Sequence, residues 1–153
     1  MIKAILWDVD GTLLDFLKAE YVAIKKCFEI HQLGECTDEM ISRYSKINRK
    51  YWEMLERGEI TKEQVLHGRF YEFFEMENLR TDCVAEFNKE YQYRLGDTIC
   101  FNKNGLETVK MCKGKIPQYA VTNGTKVAQD KKLNNAGLIN LFDGVFISED
   151  VGM

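Results

Sequence analysis

Two carboxylates, Asp8 and Asp10, stand two residues apart in the run Asp8-Val9-Asp10-Gly11-Thr12, directly after the apolar stretch Ile2-Lys3-Ala4-Ile5-Leu6-Trp7. A pair at this spacing beside a glycine turn suits a hard cation and an in-line displacement. One carboxylate attacks phosphorus while the other passes a proton to the leaving oxygen. A second polar cluster, Thr122-Asn123-Gly124, follows the apolar run Ile116 to Val121. A hydroxyl and main-chain N–H groups at a helix start suit a phosphate oxygen. Asp-x-Asp-Gly is equally compatible with a plain turn, and it opens calcium loops of the EF-hand kind. The calcium-loop reading fails on position: no helix fits before residue 8, and Ala19 holds loop position 12, where an acid is needed. On these residues alone the plain turn and the site both stay open.

Both clusters need elements that bring them together. The run from Ile2 to Trp7 reads as a strand buried on both faces of a sheet. From Asp15 to Thr98 charges and aromatics recur at helical spacing without proline. Thr37 before Asp38 and Glu39 predicts a capped helix start, and Thr61-Lys62-Glu63-Gln64 a capping box just past Gly58. Thr81-Asp82 predicts a further start. The block reads as about four helices packed through Phe70, Phe73, Phe74 and Phe87. Beyond Gly96 strands and helices alternate: a helix from Leu106 to Cys112, a strand from Ile116 to Val121, a helix from Thr125 to Ala136 stopped by Gly137, and a strand at Val145-Phe146-Ile147. Such alternation predicts an α/β fold with a parallel sheet and right-handed crossovers. The expected division is a core of residues 1–14 and 99–153, with 15–98 as a helical insertion. Ligands of open parallel sheets bind beyond the carboxyl ends of strands, where both polar clusters fall.

Composition narrows the function classes. Among 153 residues, 45% are hydrophobic and 29% charged, an ordinary globular balance. A net charge of −3 with scattered Lys and Arg gives no footprint for a nucleic acid polymer or an anionic membrane. Seven residues before Asp8 are too few for a signal peptide, and no apolar run is long enough to span a bilayer. Five cysteines without CxxC spacing read as reduced thiols rather than disulfides or a zinc site. A cytoplasmic location is the expectation.

The order of motifs then becomes specific. Asp8-Val9-Asp10-Gly11-Thr12-Leu13 after an N-terminal apolar strand resembles the first signature of the haloacid dehalogenase (HAD) superfamily, and Tyr119-Ala120-Val121-Thr122-Asn123-Gly124 its second. Ala136-Gly137-Leu138, Leu141-Phe142-Asp143 and Ile147-Ser148-Glu149-Asp150-Val151-Gly152 are similar to the segment that follows. The resemblance implies a Rossmann-like parallel sheet core with an inserted helical cap of the C1 type. Trp52, Gly58-Glu59-Ile60-Thr61 and His67-Gly68-Arg69-Phe70 resemble the branch that hydrolyses pyrimidine nucleoside 5′-monophosphates. It implies Asp8 as nucleophile and Mg²⁺ ligand, and Asp10 as general acid and base with its carbonyl on the metal. Thr122 would hold a phosphate oxygen, aided by N–H groups near Asn123 and Gly124. The implied partner is a small phosphorylated metabolite.

The same resemblance calls for a lysine and a further acidic motif beyond Met153, so the chain reads as a partial version of a longer enzyme. The strand that carries the acidic motif would flank the first strand. Without it, that strand is expected to be an apolar edge open to self-association. Two alternatives stand beside the phosphatase: a phosphotransferase of the β-phosphoglucomutase kind, and a non-catalytic paralogue that binds phosphate. Glu149 and Asp150 are not assigned as metal ligands. His31 and His67 read as structural or surface groups, Arg69 as a solvated or paired charge, and Tyr51 and Trp52 as packing. Lys103, Lys113 and Lys115 offer no replacement for the lysine, and Lys131 and Lys132 are expected to face solvent.

Overall fold

A computed structural model describes residues 1–151. The chain resolves into two compact units, Met1–Val22 with Gln92–Met153, and Ala23–Tyr91. The divisions fall inside two helices, α1 (Phe16–Ile30) and α4 (Val84–Arg94).

The first unit carries the sheet. Strands β1 (Ile5–Asp8), β2 (Gln118–Thr122) and β3 (Gly144–Ile147) lie in the order β1-β2-β3, all parallel. This is the parallel α/β arrangement expected from the alternation, and the Rossmann-like core that the resemblance implies. Helix α5 (Gly105–Cys112) precedes β2, and α6 (Lys126–Asn135) joins β2 to β3. A short α7 (Ser148–Val151) follows β3. Gln118 fixes the register at the start of β2. Its main-chain N–H donates to Asp143 Oδ2 at 2.8 Å, its amide donates to the Val109 carbonyl at 2.9 Å, and it accepts from Trp7 Nε1 at 2.8 Å. With its side chain fully buried, the residue satisfies both ends of its amide, as burial demands.

One face of the sheet, with Trp7, Ala120 and Val145 in one row, packs on Val9, Leu13, Leu14, Val109, Leu133 and Leu138. The opposite face carries Leu6, 68% exposed, and Phe146, 46% exposed, with Tyr119 tilted against Phe146 at 5.8 Å between ring centres. The first strand is therefore buried on one face, not on both as its apolar run suggested. Its hydrogen-bonded span is also shorter, with Ile2 to Ala4 outside it. An apolar run is set by composition, whereas burial needs a covering layer, and this face has none among the described residues.

The second unit is helical: the rest of α1, α2 (Asp38–Glu56), α3 (Lys62–Met76) and the first turns of α4. Both expected caps form. Thr37 Oγ1 accepts from Met40 N at 3.2 Å, and Thr61 and Gln64 complete a reciprocal capping box at 3.2 and 2.8 Å. The last helix opens at Val84, one turn beyond Thr81. Ile41, Tyr44 and Ile47 on α2 meet Val65, Phe70, Phe73 and Phe74 on α3, the spacing of one helical face. Tyr44 stacks on Phe70 at 5.0 Å, and Phe87 sits edge-on to Phe70 and Phe74, 4.9 Å from each. Such pairs add about 0.5–1.5 kcal/mol each beyond the area they bury.

Three of the other residues weighed in this unit, Arg69, Tyr51 and His31, have partners within it. Arg69 is neither solvated nor ion-paired among the described residues. It is 1% exposed, donates to Asn48 Oδ1 and Asn88 Oδ1 at 2.9 Å each, and lies over the Phe70 and Tyr91 rings. Tyr51 donates to Glu72 and covers Gly68, and the His31 ring packs against Phe87 at 5.5 Å.

Candidate active site

The register places the two polar clusters side by side. Asp8, the last residue of β1, pairs with Val121, so Thr122 is the next residue along the neighbouring strand. Both strands are parallel, and their carboxyl ends therefore open on one edge of the sheet.

After Asp8 the chain turns sharply. Val9 is fully buried and its carbonyl accepts from both Leu13 N and Leu14 N at 3.0 Å, while Gly11 N donates to Leu14 O at 2.9 Å. Gly11 has φ +83°, a backbone that a side chain would strain. The chain returning from the helical unit pins this turn. Asp15 N donates to Cys100 O at 2.7 Å, Asn102 N to Leu13 O at 2.9 Å, and the Asn102 amide to Thr12 O at 3.1 Å. Burial of Val9 between them leaves Asp8 exposed and Asp10 half-buried. Asp8 keeps solvent contact, but partial desolvation pushes its carboxyl above the ordinary value and the charge of Asp10 pushes it further, against a hydrogen bond from Val9 N–H.

In the second cluster, Thr122 is buried and its Oγ1 accepts from Gly124 N at 3.2 Å. Asn123 is exposed. Thr125 caps α6, accepting from Ala128 N at 3.3 Å and donating to Gln92 Oε1 at 2.9 Å. The first turn of α6 also receives Glu149, whose carboxylate accepts from Lys126 N at 2.9 Å. Glu149 thus serves a helix start, where its negative charge complements the positive end of the helix dipole. The side chain of Asp150, and Gly152 of the same run, lie outside the described residues.

The two clusters are joined by Gln129, which the sequence did not single out, and Lys132, which was expected to face solvent. Gln129 Nε2 donates to Asp10 Oδ2 at 3.0 Å, and Lys132 Nζ pairs with Asp10 Oδ1 at 2.6 Å. Gln129 also packs onto Gly124, where an added Cβ would lie 2.2 Å from its amide nitrogen. The expectation that Lys131 and Lys132 face solvent is wrong for both. Lys132 is 2% exposed, and Lys131 is tied to Asp97, to Tyr93 O at 3.0 Å and to the Tyr93 ring at 3.4 Å. Ala128, Gln129, Lys132 and Leu133 share one buried face of α6, but the helix is too evenly polar for its sequence to mark that face.

Asp8 and Asp10 are hard oxygen donors of the kind Mg²⁺ takes, and Mg²⁺ is commonly held by only one or two carboxylates, with water and substrate phosphate completing its shell. A cation beside Asp8 would offset the repulsion that raises its carboxyl. The residues fit such an ion in part, because among the described residues no three acidic, His or Cys side chains converge.

A family model described as haloacid dehalogenase-like hydrolase matches residues 2–153. The chain is 30% identical over 150 residues to the HAD-hydrolase YfnB of Bacillus subtilis (strain 168), covering 98% of this chain and 63% of that protein. It is 29% identical over 151 residues to the pyrimidine 5′-nucleotidase PynA of Streptococcus pneumoniae (strain ATCC BAA-255 / R6), covering 97% and 62%. Among solved structures, that of B. subtilis YfnB bound to magnesium matches with a TM-score of 0.90 at 30% identity, over 99% of this chain and 67% of that one. The L-2-haloacid dehalogenase from Xanthobacter autotrophicus, 17% identical with a TM-score of 0.69 over 99% of this chain and 58% of that one, shares the fold. The chain spans a little under two thirds of the length of these curated relatives.

Proposed function

The chain belongs to the haloacid dehalogenase-like hydrolases, and from that premise we propose that it serves a phosphatase of small phosphomonoesters, nucleoside 5′-monophosphates first among them. The observation that carries the reading is the placement of Asp8 at the end of β1, beside the strand that ends in Thr122, with Asp10 two residues on. In this reading one Asp8 oxygen attacks phosphorus as the ester P–O bond breaks, and the proton for the leaving oxygen comes from Asp10. Water then attacks the aspartyl-phosphate, Asp10 takes its proton, and the acyl phosphate bond breaks to release Asp8 and phosphate. Thr122 Oγ1 and the main-chain N–H groups of Asn123 and Gly124 bind phosphate oxygens. Asp8 and the carbonyl of Asp10 would hold Mg²⁺, which when bound neutralises the charge on the phosphoryl oxygens. In this reading the helical unit corresponds to the inserted cap of the C1 type that the resemblance implies, the enzyme is cytoplasmic, and the preference for nucleotides leans on the similarity to PynA, a pyrimidine 5′-nucleotidase.

The test is Mg²⁺-dependent phosphate release from a panel of nucleoside and sugar phosphates, with Asp8→Asn as control. Release that vanishes in the variant supports the reading, and transfer to a second sugar hydroxyl instead of water replaces it with a phosphotransferase. A second reading is phosphate binding without turnover. Phosphate binding by a folded chain that releases none from any substrate would select it.

A further inference from the structure

Helices that pack on a sheet turn apolar side chains inward. Helix α6 departs from this at two positions one turn apart. Gln129 and Lys132 stand on its buried face beside Ala128 and Leu133, 1% and 2% exposed. Removing an ammonium from water costs several kcal/mol, and such charges persist only where a partner compensates them. Here the partner is Asp10, at 2.6 Å, with the Phe16 ring 5.1 Å from the same nitrogen. The neighbouring amide donates to the other oxygen of that carboxylate at 3.0 Å, and its own Oε1 has no hydrogen-bond partner among the described residues. Two donors from one helix face thus converge on one carboxylate, one per oxygen. For stability alone, well-packed apolar residues of similar volume would do as well or better.

We propose that Gln129 and Lys132 are positioning residues for Asp10, fixing its carboxylate in one place at the sheet edge beside Asp8. An ionised carboxylate has about four acceptor sites, so one donor on each oxygen leaves a lone pair on each for the reacting proton. Gly124 belongs to the same device, because its missing side chain is the space that the Gln129 amide fills. The second cluster thereby acts on the first through α6 as well as through the sheet. What the positioning serves rests on the phosphatase reading; the clamp itself does not.

The experiment has two arms on the whole chain. A urea-unfolding cycle compares wild type, Asp10→Asn, Lys132→Met and the double variant. Asp10→Asn leaves a buried ammonium facing an amide and shifts the unfolding equilibrium by about tenfold or more, and Lys132→Met in that background restores most of it. Additive effects would overturn the clamp. In the second arm, Lys132→Met lowers kcat for phosphate release by about tenfold or more with KM within about threefold, and Gln129→Ala does so to a smaller degree. A coupled cycle with unchanged kcat overturns the positioning role and leaves a structural ion pair. A coupled cycle in a wild-type chain that releases no phosphate supports the clamp and removes the phosphatase reading.

Discussion

Replacing Gly124 by alanine tests the link between the two clusters most directly. The added Cβ would lie 2.2 Å from Gln129 Nε2, 2.8 Å from Cδ and 2.9 Å from Cγ. Ordinary carbon contacts are about 3.5 Å or more, so turning the terminal amide is not enough and the whole side chain has to shift. Gln129 is almost fully buried, and its shift breaks the hydrogen bond to Asp10. Overpacking of this kind costs about 1–3 kcal/mol. A hydrogen bond to a charged group is worth about 1.5–3 kcal/mol, discounted here because Asp10 is partly open to solvent. The variant can relieve the first by giving up the second, so the two do not simply add, and a loss of about 2 kcal/mol is expected. For a chain of this size that lowers Tm by about 4–8 °C in a thermal melt followed by circular dichroism. The double variant Gly124→Ala, Gln129→Ala should melt within about 0.5 kcal/mol of Gln129→Ala alone, since the clash is gone. A Gly124→Ala protein that melts with wild type, or a double variant that loses the sum of both singles, would refute the reasoning.

Other consequences follow from the same geometry. Because burial and then the Asp10 charge raise the Asp8 carboxyl, its favourable contribution is full below the unfolded value and is lost as pH rises through the folded one. Asp8→Asn should therefore raise the unfolding free energy from urea titration at pH 7 by under about 1 kcal/mol and leave it unchanged near pH 3; a lower value at pH 7 would contradict this. Asp97 behaves in the opposite sense: burial opposes its charge, but hydrogen bonds from Lys131 and Arg94 hold its carboxyl below the ordinary range. Its contribution is present above the unfolded value near 4 and is lost as pH falls through the folded one, so Asp97→Asn should flatten the acid limb of a stability–pH profile. The β1 edge and the open face with Leu6 and Phe146 should drive concentration-dependent association that Leu6→Lys reduces; a wild-type monomer by sedimentation with a native-like melt would count against it.

Local signals were legible in the sequence because they act over a few residues. The caps at Thr37 and Thr61, the turn at Gly11 and the aromatic stripe of α3 each follow from backbone preference or helical period and formed where the pattern put them, and the strands formed within a few residues of their apolar runs. Asp8, Asp10 and Thr122 to Gly124 stood out for the same reason, as polar groups at the ends of apolar strands. Burial of particular charges was not legible. Lys132 and Lys131 are adjacent lysines on a polar-looking helix, and nothing local separates the one that ends on Asp10 from the one that ends on Asp97. Arg69 was open to the same misreading, since its partners Asn48 and Asn88 lie about twenty residues away on either side. An apolar run likewise cannot tell whether a layer covers it, which is why β1 was expected to be buried on both faces. The sequence determined which groups could do chemistry and which elements carry them. Only the tertiary structure decided which cation meets Asp10 and which face of the sheet lies open. Pairing and burial are properties of segments brought together across the chain, and their energies depend on solvent excluded by residues far away in sequence.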